Sequence, residues 1–315
     1  MSKQCLYCYK DLNDNETDFH AGCSKKMFGV TTPPLLPYSE NNMNELALQV
    51  IQTQAVVTGV QPKLSLHLTG PEQRNQVKKF TIVGMWGDYI LKPPSTHYPQ
   101  LPEVEDLTMH LASIAKINVV PHCLIRLASG NIAYLTKRID RVNKQKLHME
   151  DMCQVTDRLT EDKYRGSYEQ VAKTILKYSN NPGLDVVNFF ELVLFSFLTG
   201  NADMHLKNFS IIHHPVMGAV FSPAYDLVAT ALVNPADDED LALTLNGKKK
   251  KITRNDFVAA FNTIAIGAKQ QQNIFKKMEK ARASWHQFID GSFLNDEMKS
   301  NYKNLLENRF ARLDE

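Results

Sequence analysis

The sequence lacks most of the features that would take a chain out of ordinary aqueous solution. No apolar run reaches the length of a membrane span; the best candidate, residues 186–198, is too short and carries Asn188 and Glu191. The opening residues, Met1-Ser-Lys-Gln-Cys-Leu-Tyr-Cys8, lack the basic-then-apolar shape of a secretion signal. Cysteines number five, an odd count that argues against a disulfide framework and for a reducing cytoplasm. Charge of one sign is also missing. A formal net charge of +2 gives no broad electrostatic footprint, so direct nucleic-acid binding is not expected, and neither is a membrane. No internal repeat is visible. What remains is ordinary: 43% hydrophobic and 22% charged residues over 315 positions, enough for one large or two modest domains with a sizeable core.

The most informative stretch begins at a nearly all-apolar run, Val186-Val-Asn-Phe-Phe-Glu-Leu-Val-Leu-Phe-Ser-Phe-Leu198, which reads as a buried helix. Gly200 stops it, and Asn201-Ala-Asp203-Met-His205-Leu-Lys207-Asn208 follows at once. A deep scaffold holds such a short polar loop still, as chemistry requires. Asp203 and Asn208 stand in the spacing D-x-x-x-x-N. Protein-kinase-type phosphotransferases use it to set a proton-accepting Asp beside an Asn that holds magnesium. Phe209-Ser-Ile-Ile-His213 and Gly218-Ala-Val-Phe221 read as a hairpin that returns Asp226 to the same place. Three oxygen donors would then suit a hard cation. The spacing alone also fits a polar turn with unrelated surface carboxylates.

Residues 1–30 read as a small Cys/His-rich module. Cys5-Leu-Tyr-Cys8 is separated by eleven residues from His20-Ala-Gly-Cys23, a pattern that suits a structural zinc knuckle with three thiolates and one imidazole. A surface hairpin with unliganded cysteines is the alternative. Cys123 and Cys153 sit in apolar surroundings and read as core. Residues 31–147 read as a strand-rich lobe. It contains the turn Thr58-Gly59 before Val60-Gln61-Pro-Lys63 and the strand Asp88-Tyr-Ile-Leu-Lys92. A Lys at a strand end can reach phosphates if a helix supplies a Glu to orient it. Glu103 and Glu105 open such a helix after Pro102, while Glu103 and Asp106 are expected mainly to complement the helix dipole. A further strand is expected over Ile132–Ile139. From about residue 148 to 315 the chain is expected to be mostly helical, beginning with His148–Val155. Lys248–Lys251 reads as a solvated basic loop. Together these give an α+β chain with a strand-rich N-lobe and a mostly helical C-lobe.

With these residues in view, the chain resembles the HipA family of bacterial serine/threonine kinase toxins. The matching pieces, in the family's order, are Gly59-Val-Gln61-Pro-Lys63, Tyr89-Ile-Leu-Lys92, Thr136-Lys-Arg-Ile-Asp140-Arg141, Glu150-Asp-Met-Cys-Gln154, Gly200-Asn-Ala-Asp203-Met-His205-Leu-Lys-Asn208-Phe-Ser210 and Pro223-Ala-Tyr-Asp226. The resemblance implies a bilobal protein-kinase-like fold, ATP and magnesium dependence, and protein substrates, with an aminoacyl-tRNA synthetase suggested by analogy. It implies Asp203 as general base, Asn208 and Asp226 as magnesium ligands, and Lys92 as phosphate anchor. Thr58, Gly59, Val60, Gln61 and Lys63 would cover the phosphates. Lys137, Arg138 and Ile139 would form the adenine-side hinge, and His205 and Tyr225 would lie near the nucleotide. Longer family members carry a further subdomain before the phosphate loop. Its absence here resembles the short HipT form of three-component systems, which implies a small HipS-like protein and a HipB-like helix-turn-helix antitoxin as partners. Thr58 stands where the family often has an autophosphorylated Ser. A different class of reading is an adaptor: a degenerate kinase fold or zinc knuckle that binds a regulatory partner without transferring phosphate.

Overall fold

Alternation marks the first strand of the sheet. In β1, Leu64–Thr69, Leu64 and Leu66 turn inward while His67 is exposed. β2 (Lys79–Val83), β3 (Tyr89–Lys92), β4 (His122–Arg126) and β5 (Ile132–Lys137) complete an antiparallel sheet in the order β2-β1-β3-β5-β4. Register sets Lys92 opposite Tyr134, with the ammonium 5.5 Å from the ring centroid. Phe80 and Tyr89 pack edge to face at 5.3 Å, and Phe28, from the helix Ala21–Phe28, lies 5.9 Å from Phe80. Strand β5 ends at Lys137, two residues short of the expected end, because the Arg138 amide turns to the Asp88 carbonyl instead.

This computed structural model describes residues 4–42, 63–70, 77–83, 87–142 and 145–314. The chain divides into two compact units. The first comprises residues 1–106, 120–139 and 291–293; the second comprises 107–119, 140–290 and 294–315. The N-terminal Cys/His segment therefore clusters with the sheet, and the helix Leu101–Ile114 contributes its first residues to one unit and the remainder to the other.

The second unit is mostly helical. Its central helix, Pro182–Leu198, opens with Pro at the first position, where a missing N–H costs nothing. Phe189, Phe190, Val193, Leu194, Phe195, Phe197 and Leu198 are fully buried, so the run is apolar all round because it is surrounded. Truncating one such Phe to Ala would cost about 3–5 kcal/mol. The longer helices around it are Tyr168–Tyr178, Arg254–Thr263, Ala268–Asp290 and Asp296–Asp314, and a short ladder joins β6 (Arg141–Val142) to β7 (Gln145–Lys146). Among the described residues, no helix is long and apolar enough to cross a membrane.

One expected helix is partly a strand. Met149–Asp151 forms β8 and pairs with β9 (Ser210–His214), which pairs in turn with β10 (Gly218–Phe221). Cross-strand pairing to Ser210–Ile212 outweighs the local helical pattern there. Helix begins only at Met152, capped by Asp151 and Gln154 in a reciprocal capping box. The Lys248–Lys251 loop is less solitary than expected, since Lys248 pairs with Asp256, Lys249 with Glu239 and Lys250 with Asp238.

Candidate active site

The buried helix ends as its sequence requires. Gly200 takes φ +66°, and a Cβ there would lie 2.8 Å from Leu305 and 2.9 Å from Ala231, so the turn needs glycine on both conformational and steric grounds. The loop that follows is held mainly by backbone bonds. The Ala202 amide donates to Thr230 Oγ1 at 2.8 Å, and the Asp203 amide donates to Asn201 Oδ1 at 3.2 Å. The Tyr168 hydroxyl donates to the Met204 carbonyl at 3.1 Å, and the Leu206 amide to the Lys163 carbonyl at 3.1 Å. Directly after Asn208, the Phe209 ring packs 5.1 Å from Phe189 of the central helix. Both ends of the loop are thus anchored in core.

Against this fixed backbone the side chains differ sharply in exposure. The Asp203 side chain is 50% exposed, while that of His205 is 7% exposed and Asn208 is buried. Asn208 donates its amide nitrogen to the Asp203 carbonyl at 2.9 Å, closing the D-x-x-x-x-N turn. That bond leaves the amide oxygen as the group with which Asn208 can meet a cation. His205 Nε2 lies 3.9 Å from Asp203 Oδ1. Burial is the strongest influence on the His205 imidazole and holds its pKa below the usual value; the Asp203 carboxylate opposes, Lys163 adds to the lowering, and Asp226 opposes. Among the described residues, Nδ1 of His205 and Nδ2 of Asn201 find no hydrogen-bond partner although buried, the kind of orphaned polar atom that a bound ligand or water satisfies. Asp226 adopts φ +60°, a left-handed conformation that Asp tolerates better than most residues with a side chain. Tyr225 next to it donates its hydroxyl to the Lys207 carbonyl at 3.0 Å and receives Ser210 Oγ at 2.5 Å.

Two participants, Tyr164 and Lys163, had no local signature. Tyr164 donates its hydroxyl to Asp203 Oδ1 at 2.5 Å and meets the His205 ring edge-on at 4.9 Å. Burial, reinforced by the Asp203 carboxylate, pushes its phenol pKa up. Lys207 pairs with Asp151 at 2.6 Å, tying the loop to β8. Asp151 does carry a sequence signal, the D-x-x-Q capping box, whereas Tyr164 and Lys163 carry none.

In the sheet unit, Lys92 and Glu105 form an ion pair of 2.5 Å with side chains 5% and 0% exposed, the arrangement expected of a strand-end Lys and a helix Glu. Asp106 departs from its expected role. It is fully buried, accepts from the Tyr9 hydroxyl at 2.8 Å, and lies 2.7 Å from His122 Nδ1, so it serves tertiary partners rather than the helix dipole alone. Lys63 stands exposed just ahead of β1, Lys137 is exposed at the end of β5, and Arg138 and Ile139 are half-buried beyond it. Thr58, Gly59, Val60 and Gln61 lie outside the described residues. Cys123 and Cys153 are core residues, as expected, and Cys5, Cys8, His20 and Cys23 come together.

A strand-end Lys oriented by a buried Glu and a loop offering an exposed Asp, a buried Asn and a buried His are the parts that kinase-like folds share. The chain belongs to the family defined by the HipA-like C-terminal domain, whose model matches residues 55–285. A Haemophilus influenzae protein bearing a kinase name is 30% identical over 210 residues, 63% of this chain and 59% of its own. The serine/threonine-protein kinase toxin HipA of Shewanella oneidensis is 28% identical over 210 residues, 60% of this chain and 46% of its own. The chain spans about half the length of the curated relatives it matches. Among solved structures, HipA in the Shewanella oneidensis complex of HipA, HipB and operator DNA matches with a TM-score of 0.69 and 22% identity, covering 86% of this chain and 70% of that one. The Helicobacter pylori proinflammatory kinase CtkA matches with a TM-score of 0.54 and 16% identity, covering 79% of this chain and 93% of that one. The fold is therefore the mixed α and β fold shared by HipA and CtkA, with one sheet-rich and one mostly helical unit.

Proposed function

We propose that this chain is an ATP- and magnesium-dependent serine/threonine protein kinase that acts in the cytoplasm as the toxin of a toxin–antitoxin system. The observation that carries the reading is Asp203: a carboxylate left half-exposed on a loop whose backbone is pinned from Gly200 to Phe209. A general base must be both reachable and still, and this one is. In this reading Asp203 accepts the proton of the attacking hydroxyl. Asn208, through its amide oxygen, and Asp226 hold magnesium, which when bound screens the charge of the phosphates. Lys92, oriented by Glu105, anchors the phosphates. His205 and Tyr225 face the nucleotide, Thr58 to Lys63 cover its phosphates, and Lys137 to Ile139 line the adenine side.

The partners proposed are a HipB-like antitoxin, in line with the HipA, HipB and operator DNA assembly of the structural relative, and a small HipS-like protein of the short three-component form. An aminoacyl-tRNA synthetase is the proposed substrate, and Thr58 the proposed autophosphorylation site. The test is incubation of purified protein with labelled ATP, magnesium and a cell lysate, beside the Asp203→Asn variant, with labelled species identified by mass spectrometry. A labelled protein that depends on Asp203 supports the proposal and names the substrate. Equal labelling by the variant removes Asp203 from its role, and ATP binding without any transfer favours the adaptor reading.

A further inference from the structure

The N-terminal segment brings four side chains to one point, and the kinase reading uses none of them. Cys5 and Cys8 flank a tight turn in which the Tyr9 amide donates to the Cys5 carbonyl at 2.9 Å, with Tyr9 itself at φ +64°. His20 and Cys23 stand at the start of the helix Ala21–Phe28. The three Sγ atoms and one His20 nitrogen all lie within 4.8 Å of one another. His20 Nδ1 is 3.5 Å from Cys8 Sγ and 3.7 Å from Cys23 Sγ. A tetrahedral zinc with bonds of about 2.3 Å to sulfur and about 2.0 Å to nitrogen requires S···N edges of about 3.5 Å. All five cysteines are free thiols, so no disulfide accounts for the cluster.

The other face of the imidazole supplies an independent argument. His20 Nε2 lies 2.9 Å from the Asp11 carbonyl, which can only accept a hydrogen bond. In the neutral ring that places the proton on Nε2 and leaves the lone pair on Nδ1, aimed at the thiols. A histidine oriented by a backbone carbonyl is how metal-binding imidazoles are usually held. Although His20 occupies the N-cap of the helix, its side chain makes no capping bond.

We infer that Cys5, Cys8, His20 and Cys23 bind one structural zinc ion, which fastens the N-terminal strap to the open edge of the five-stranded sheet. With every tetrahedral position filled by protein, no site remains for substrate, so the metal is structural. What it fastens is explicit. Leu6, inside the Cys5–Cys8 turn, accepts a hydrogen bond from the Leu124 amide of the edge strand β4 at 3.0 Å. Arg126 of the same strand pairs with Asp18 at 2.9 Å. Tyr9, next to Cys8, reaches Asp106, the neighbour of Glu105. The strap thereby covers an edge that would otherwise offer unpaired backbone groups, and it braces the helix turn that orients Lys92.

The test begins with metal analysis of the full chain, purified without chelator and without a histidine tag. About one zinc per chain is expected. The ratio should fall several-fold in Cys8→Ser and in His20→Ala and stay unchanged in Cys153→Ala. Adding a strong zinc chelator should lower the melting temperature of the wild type but not that of Cys8→Ser. If the variants fail to fold, cobalt(II) added to the demetallated wild type keeps the question open to decision: thiolate-to-cobalt charge transfer with intense tetrahedral d–d bands is expected. Protein that folds with no bound metal, zinc retained by both ligand variants, or a weak octahedral cobalt spectrum would each overturn the assignment.

Discussion

Lys92 and Asp203 carry opposite charges, and the two units treat them in opposite ways. Lys92 is withdrawn from water and matched to Glu105, with side chains 5% and 0% exposed. Asp203 is left 50% exposed, its loop immobilised through backbone groups rather than through its carboxylate. A buried pair keeps its geometry because neither partner can lose the other without stranding a charge in a medium of low polarity. An exposed carboxylate keeps its availability, and its position must come from the chain beneath it. In the proposed function the contrast separates an anchoring charge from a reacting one, and it predicts that substitutions in the two places will fail in different measurements.

The largest expected effect is on chemistry. Asp203→Asn should lower phosphate transfer by about 10²–10⁴-fold, the range that general-base catalysis supplies. Its stability should stay within about 0.5 kcal/mol of wild type, as for a surface change. Denaturant unfolding alongside the kinase assay reads both, and a large stability loss would erase the contrast. Glu105→Ala should reverse that pattern. Removing the carboxylate matched to Lys92 should cost about 3–5 kcal/mol of stability, with activity lost as a consequence. An unfolding midpoint equal to wild type would show that the pair is not buried in solution.

The second unit has a buried charge of its own, and it sharpens the comparison through pH. Asp240 accepts from Arg309 and Arg312, and Arg312 Nη2 lies 2.5 Å away. Burial works to raise its carboxyl, but Arg312, the Ile252 amide and Arg309 together hold it down at about 2, below the ordinary 3.8. A depressed folded-state value means stability that is complete above the unfolded value and is lost as pH falls from about 3.8 through about 2. Thermal unfolding of wild type should show that acid slope, and Asp240→Asn should flatten it. A slope equal in both proteins would assign the acid sensitivity to other carboxylates.

The sequence made the Asp203 loop legible because its polar residues follow directly on a helix with no polar face. The Gly200 stop, the Asp203 to Asn208 spacing and the returning hairpin all lie within one short stretch. The Lys92–Glu105 pair was also readable, since a Lys closing an apolar strand and an acid opening a helix need each other. Asp106 was not, because its partners Tyr9 and His122 stand 97 and 16 residues away and only folding joins them. Strand β8 escaped for a different reason: three residues are too few to show a period, and its pairing comes from β9. Tyr164 lies 39 residues before Asp203 in an irregular stretch, with nothing nearby to mark it.

Tyr164 also gives the smallest and most discriminating prediction. Its hydroxyl donates to Asp203 Oδ1 at 2.5 Å, and in the proposed function the same carboxylate takes the proton of the attacking hydroxyl. The phenol and an acceptor hydroxyl therefore compete for the lone pairs of one carboxylate. Because Asp203 is half-exposed, water replaces part of what is lost, so the bond is worth about 0.5–1.5 kcal/mol. Tyr164→Phe keeps the ring against His205 and removes only the competing donor. Phosphate transfer at subsaturating acceptor should therefore rise about two- to tenfold, while stability falls by no more than the same ~0.5–1.5 kcal/mol. A tenfold fall would give the phenol the opposite role, orienting the carboxylate. Asp203 would then be positioned by a side chain as Lys92 is by Glu105, and the difference between the two units would narrow to one of exposure.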